Sequence, residues 1–159
     1  METVTRGHGR ERLPGIYPGP ESIRPGRPLI VVEGEFDAIL LAQELGELAS
    51  VVTLGSASAR PGPAIKGRML AAAPWLIATD ADPAGDKSAE GWPAPARPVR
   101  PPGSFKDWTE AKAGGVDLAR WWRDVLAGVE QPALFTPDEL SAHRWGPSLD
   151  DSSHGIVVP

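Results

Sequence analysis

Leu76-Ile77-Ala78-Thr79-Asp80-Ala81-Asp82-Pro83-Ala84-Gly85 decides how the rest of the chain is read. The apolar run from Trp75 to Ala78 is short and turn chemistry follows it at once, the pattern of a buried strand. Asp80 and Asp82 then fall at alternate positions where such a strand ends, and in open α/β sheets ligands gather at the carboxyl ends of strands. Pro83 suits the first turn of a helix, and Gly85 lets backbone approach a phosphate or a neighbouring strand. Two close carboxylates repel each other unless protons or a cation neutralise them. Oxygen donors in a chain without Cys suit Mg²⁺ or Mn²⁺ better than zinc. The same residues also read as an acidic turn that caps the following helix, and the segment by itself leaves both readings open.

Working outward, Leu29-Ile30-Val31-Val32 is a continuous run rich in β-branched residues, suited to a strand buried on both faces. Glu33-Gly34-Glu35 ends it. A helix is expected from there to Gly46, with Phe36, Ile39, Leu40 and Leu45 along its apolar face and Gln43 and Glu44 turned out. Val51 to Leu54 is the next strand, closed by Gly55-Ser56. A loop leads to Pro63, and a helix is expected over Ile65 to Ala73, with Lys66 and Arg68 exposed and Pro74 ending it. After the strand at Trp75 to Ala78, a helix is expected from Pro83 to Gly91. From Pro93 to Gly103 the prolines leave room for at most a short strand around Arg97 to Val99. Helices are expected over Trp108 to Ala113 and Val116 to Leu126, with Trp108, Trp121 and Trp122 packing them on the sheet. The alternation predicts a compact α/β fold, a parallel sheet of about four strands with helices on both faces. Glu33 and Asp80 then lie on the same rim.

A chain of 159 residues suffices for one domain with a real core. Residues 1–27 read as a basic, flexible lead-in carrying Arg6, Arg10, Arg12, Arg24 and Arg27; residues 28–127 as the domain; residues 128–159 as an irregular C-terminal tail. The net charge of −5 disfavours a general nucleic-acid clamp, but not an acidic catalytic centre held on a more basic assembly. No run reaches membrane-spanning length and the N-terminus lacks the apolar core of a signal peptide; with no Cys, a cytoplasmic location is expected. His8, His143 and His154 form no ligand spacing.

Glu33 and Asp37 are near enough in sequence to approach one ion once the helix starts. Asp107 and Glu110 form a third acidic cluster beside Lys106. Acids in a first helical turn also stabilise the helix N-terminus, which is the other reading of Asp37 and Glu110. Taken in order, Val31-Val32-Glu33-Gly34-Glu35-Phe36-Asp37, Gly55-Ser56, Thr79-Asp80-Ala81-Asp82-Pro83-Ala84-Gly85 and Lys106-Asp107-Trp108-Thr109-Glu110-Ala111 resemble a Toprim domain. That is the catalytic module shared by topoisomerases, bacterial-type primases and some nucleases, and the resemblance is nearest to the primase branch with its phage and plasmid relatives. It spans residues from Pro28 to Leu126.

The resemblance implies a compact, Rossmann-like Toprim sheet and a set of roles. Glu33 matches the strand-end glutamate that works as acid/base or as metal ligand. Asp80 and Asp82 match the pair that binds Mg²⁺ or Mn²⁺, Asp37 an additional acid of the primase version, and Asp107 with Glu110 the late acidic cluster. Gly34 and Gly85 fit positions where backbone approaches phosphate. Arg60, Lys66, Lys87 and Lys106 are the candidate cations for phosphate or nucleic acid. The implied function is Mg²⁺-dependent, DNA primase-like nucleotidyl transfer with nucleotides on a single-stranded DNA template, in replication of a bacterial or mobile element. A Toprim-type phosphodiester nuclease and a non-catalytic nucleic-acid or replication-complex binding module are the alternatives. A topoisomerase fits less well, because the only Tyr, Tyr17, lies in the lead-in. The chain has no Cys for a zinc module and no Gly-x-x-x-x-Gly-Lys-Ser/Thr loop of a helicase. A separate zinc-binding or helicase-type replication protein is therefore the expected partner.

Overall fold

The computed structural model describes residues 15–56, 58–93 and 96–129. Arg6, His8, Arg10 and Arg12 in the lead-in, and the tail from residue 130 with His143 and His154, lie outside the described residues. Strands β1 (Leu29–Val32), β2 (Ser50–Thr53), β3 (Trp75–Ala78) and β4 (Arg97–Pro98) form one four-stranded sheet in the order β2-β1-β3-β4, with every neighbouring pair parallel.

Successive side chains of a strand point to opposite faces, and both faces here are apolar. Leu29, Val31, Val52, Trp75 and Ile77 enter one core, which α2 (Pro63–Met69) covers through Met69 and α3 (Pro83–Glu90) through Ala89. Ile30, Val32, Val51, Leu76 and Ala78 enter the other, beneath α1 (Glu35–Leu45), α4 (Trp108–Ala113) and α5 (Leu118–Gly128). Helices on both faces are what continuous apolar strands require. On the α5 side the Trp108 ring lies 4.9 Å from Trp122 and 5.3 Å from Trp121, centroid to centroid, as the packing expectation had it. Among the described residues no helix is long and apolar enough to cross a membrane.

Three expectations need correction. The buried stripe of α1 is Ala38, Leu41 and Leu45, whereas Phe36 is 83% and Ile39 38% exposed, and Leu40 is only partly buried. Apolar residues surround this helix, so periodicity did not select a face; the small Ala38 lets the helix approach the sheet. Glu44, expected in solvent, is half-buried and pairs with Lys112 of α4 at 2.7 Å. The second helix begins earlier and ends earlier than expected, because Pro63 takes its first turn and the indole N–H of Trp75 takes the carbonyls of Met69 (3.0 Å) and Ala72 (2.7 Å).

The described part of the lead-in lies on the domain. Ile23 is buried in the α2-side core, Tyr17 pairs with Thr53, and Arg24 and Arg27 both form ion pairs with Glu47. The folded unit therefore begins ahead of residue 28.

Candidate functional site

In the register of β1 against β3, Val32 stands beside Ala78, so the chain leaves both strands at one level and Glu33 and Asp80 come out on one rim. Local bonds fix those exits. Thr53 Oγ1 donates to the Glu33 carbonyl (2.8 Å) and accepts from the Gly55 N–H (2.9 Å), tying β1 to the end of β2. The Trp108 indole N–H donates to the Ala78 carbonyl at 2.9 Å, and Thr79 Oγ1 donates to the Gly85 carbonyl at 2.9 Å. Arg100, which pairs with Asp86, donates to Thr79 Oγ1 as well. The Ala81 N–H donates to the Lys106 carbonyl at 2.7 Å, which brings the loop before α4 against the loop after β3. Gly85 is required here: a Cβ on it would lie 2.1 Å from the Asp80 carbonyl oxygen. These exits enclose a cleft of about 590 Å³, lined by Glu33, Asp37, Asp80 and Asp107 together with Gly34, Glu35, Phe36, Gly55, Ser56 and Thr109.

The carboxylates in and around it differ in their surroundings. Glu33 Oε2 is buried and, among the described residues, has no hydrogen-bond partner. The Asp80 side chain is 19% exposed, and its pKa is pushed up to about 6, first by burial, then by repulsion from Glu33 and Asp37, against the pull of Lys106. Asp37 is buried and accepts from both the N–H (3.0 Å) and the Oγ1 (2.8 Å) of Thr109, which ties α1 to α4. Burial raises its pKa, and those two bonds offset part of the rise. Asp82 Oδ1 caps α3, accepting from the N–H groups of Ala84 (3.0 Å) and Gly85 (2.9 Å), and the Gly85 bond is the chief reason its pKa is lowered. Asp107 caps α4 by accepting from the Glu110 N–H at 2.7 Å, while Glu110 Oε2 accepts from the Lys106 N–H at 2.6 Å. That reciprocal arrangement is close to a capping box. Lys106 Nζ stands 3.9 Å from Asp80 Oδ2 and 3.8 Å from Asp82 Oδ2, a single ammonium between two carboxylates.

Glu33, Asp37, Asp80 and Asp107 thus share the cleft, and Asp82 stands beside it, joined to Asp80 through Lys106. Gly34 lines the cleft and caps α1, and a Cβ on it would meet nothing within 4 Å. Of the four candidate cations, Lys106 alone is placed among the acids. Arg60 donates to the Ala59 carbonyl (2.9 Å) and reaches the Ser88 carbonyl (3.5 Å); Lys66 belongs to α2 and Lys87 to α3, and none of the three lines the cleft. Sequence reasoning missed Thr109, whose signal was its place inside the Lys106 to Ala111 segment, and Phe36, an aromatic set between two acids. Arg100 gave no signal beyond its charge. Among the described residues no three acidic or imidazole side chains converge closely enough to hold an ion as they stand.

No family model and no curated protein sequence matches this chain. A solved structure similar to it is the primase fragment of the bacteriophage T7 primase-helicase protein, with a TM-score of 0.46 and 21% sequence identity, covering 63% of this chain. The chain spans 44% of the length of that fragment.

Proposed function

We propose that the chain is a Toprim-type domain whose acidic cleft takes Mg²⁺ or Mn²⁺ and acts on nucleic-acid phosphates, by DNA primase-like nucleotidyl transfer. One observation carries this reading: the cleft is short of positive charge. Among the described residues Glu33 leaves a buried oxygen without a hydrogen-bond partner, Asp80 is pushed up to about 6 by burial and neighbouring acids, and the Lys106 ammonium stands beside Asp80. The donor set fits a hard divalent cation, because Mg²⁺ is usually held by one or two carboxylates and completes its shell with water and substrate phosphate. Asp80 would hold it, with Asp37 and Asp107 as further acids in the same cleft and Glu33 beside them as the base. When bound, the ion supplies the positive charge that a reacting phosphate and its leaving oxygen need.

The chain's own groups have separable tasks. The unpartnered oxygen of Glu33 can accept the proton of an attacking hydroxyl. Lys106, with its side chain 61% exposed, can turn from the Asp80–Asp82 pair toward a phosphate. Asp37, held by Thr109, keeps α4 against α1 and so keeps Asp107 at the rim. Attack by a sugar hydroxyl on the α-phosphate of a nucleoside triphosphate forms the new ester bond as pyrophosphate leaves and gives strand synthesis; attack by water on a phosphodiester breaks a P–O bond as a sugar hydroxyl leaves and gives cleavage. Single-stranded DNA and nucleotides are the partners this chemistry needs, together with a separate zinc-binding or helicase-type replication protein. The capping tasks of Asp82 and Asp107 favour one alternative, a binding module that keeps an acidic rim without catalysis.

The test is a primer-synthesis assay on single-stranded DNA with labelled nucleotides and Mg²⁺ or Mn²⁺, run beside a cleavage assay. Metal-dependent synthesis is expected. Asp80→Asn should lose activity that excess metal partly restores. Glu33→Gln should lose rate by roughly a hundredfold or more without such rescue if Glu33 is the base. Single-stranded DNA binding with neither reaction would replace catalysis by the binding-module reading.

A further inference from the structure

Phe36 sits in the first turn of α1 with 83% of its surface exposed, the most exposed of the large apolar residues described. It lines the same cleft as Glu33, Asp37 and Asp80. A scattered apolar residue on a surface needs no explanation, but a bare aromatic ring at the mouth of an acidic cleft does. Glu35 and Asp37 flank it in sequence, and Glu33 stands at the end of the strand just before it. A protein surface pressed onto the ring would have to strip water from the exposed Glu35 carboxylate beside it, which is costly for a charge left without a partner. A flat heteroaromatic ring needs only the face of the phenyl group and leaves the Glu35 carboxylate in water. The lining beside it suits a flat guest: Gly34 and Gly55 present no side chains, and a Cβ at Gly34 would meet nothing within 4 Å.

We propose that Phe36 is a stacking platform for a nucleobase at the mouth of the acidic cleft. The proposal rests on the reading that the cleft takes nucleotides or nucleic acid. The base can belong to an incoming nucleotide or to a single strand, and stacking on an aromatic face is the chemistry common to both.

Binding is measured in Mn²⁺ with three probes: a nucleoside triphosphate, a short labelled oligothymidylate and an abasic strand of the same length. The wild type is compared with Phe36→Leu, which keeps apolar bulk but loses the flat face, and with Phe36→Trp, which keeps it. Phe36→Leu should weaken a base-bearing probe by about tenfold, as expected for one lost base–aromatic stack. Phe36→Trp should retain affinity, and the abasic strand should not distinguish the three proteins. Loss confined to the triphosphate assigns the base to the incoming nucleotide, and loss confined to the oligothymidylate assigns it to the strand. Equal affinities in all three proteins, with the wild type binding, would overturn the stacking role and leave the function reading intact. Equal losses on the base-bearing and abasic strands, or a fall in melting temperature for Phe36→Leu, would show a structural role instead. Unchanged binding with self-association lost in Phe36→Leu would make the ring a contact between copies. A wild type that binds none of the probes removes the proposal and the function reading together.

Discussion

Replacing Asp80 by Asn removes one charge from the rim while keeping nearly the same shape. Its pKa rises from an ordinary 3.8 to about 6, so the folded state holds this proton more tightly than the unfolded chain. The sign follows: the folded state is penalised wherever Asp80 must ionise, so stability falls as pH rises from about 4 through about 6 and the full penalty applies above that. A displacement of about 2 on the pKa scale corresponds to ~3 kcal/mol. The side chain is partly open to water, 19% exposed, and solvent screening brings this down to ~1.5 kcal/mol. Asp80→Asn should therefore melt about 4–8 °C above the wild type near pH 7.5 without divalent metal. That advantage should shrink to about half by pH 5 and nearly vanish by pH 4. Mg²⁺ or Mn²⁺ at about a hundredfold over its dissociation constant should stabilise the wild type by ~2.7 kcal/mol, and Asp80→Asn far less. Thermal melts across pH, with and without metal, check all of this. A variant that melts below the wild type near neutral pH, or an advantage that does not change with pH, would refute the electrostatic reasoning.

Gly85→Ala places a methyl group where the Asp80 carbonyl oxygen would be 2.1 Å away; a loss of about 2 kcal/mol or more is expected in denaturant unfolding, with a weaker metal response, since Asp80 must move. Thr109→Val removes the hydroxyl that Asp37 Oδ1 accepts at 2.8 Å. It should cost about 1–3 kcal/mol in the same assay, while Thr109→Ser retains most of the stability. Trp108→Phe deletes the bond from the indole N–H to the Ala78 carbonyl, 2.9 Å long and fully buried; a loss of about 2 kcal/mol is expected by calorimetry, together with diminished metal stabilisation because the exit of β3 loosens.

The central sheet was legible because β1 and β3 are apolar at every position, and such strands belong inside a parallel sheet with both faces covered. That placed their carboxyl ends together, and with them Glu33 and Asp80. The face of α1 was not legible, since Phe36, Ile39 and Leu40 supply apolar groups on the side away from Ala38, Leu41 and Leu45, and only tertiary packing chooses between the two. The bond from Thr109 to Asp37 joins residues 72 apart, and no local pattern reports a contact of that span. Asp82 read equally well as cap or as ligand; its Oδ1 is a cap in the fold, and its Oδ2 faces Lys106. Charge alone nominated Arg60, Lys66 and Lys87 beside Lys106, but a cation's position depends on the sheet face its segment covers. Lys66 and Lys87 ride on the helices opposite α1 and α4.

Tyr17 and Thr53 exchange backbone hydrogen bonds of 2.9 Å in both directions, and this short antiparallel clasp blunts the outer margin of β2. A bare margin presents unpaired N–H and C=O groups to any passing strand, a template for aggregation. The opposite margin is protected by different means: β4 is two residues long and one of them, Pro98, has no N–H to offer. A chain trimmed to begin at residue 28 would lose the clasp and the buried Ile23 at once. It would leave β2 open to its own copies, and the damage would appear as aggregated protein before any question of catalysis could be put to it.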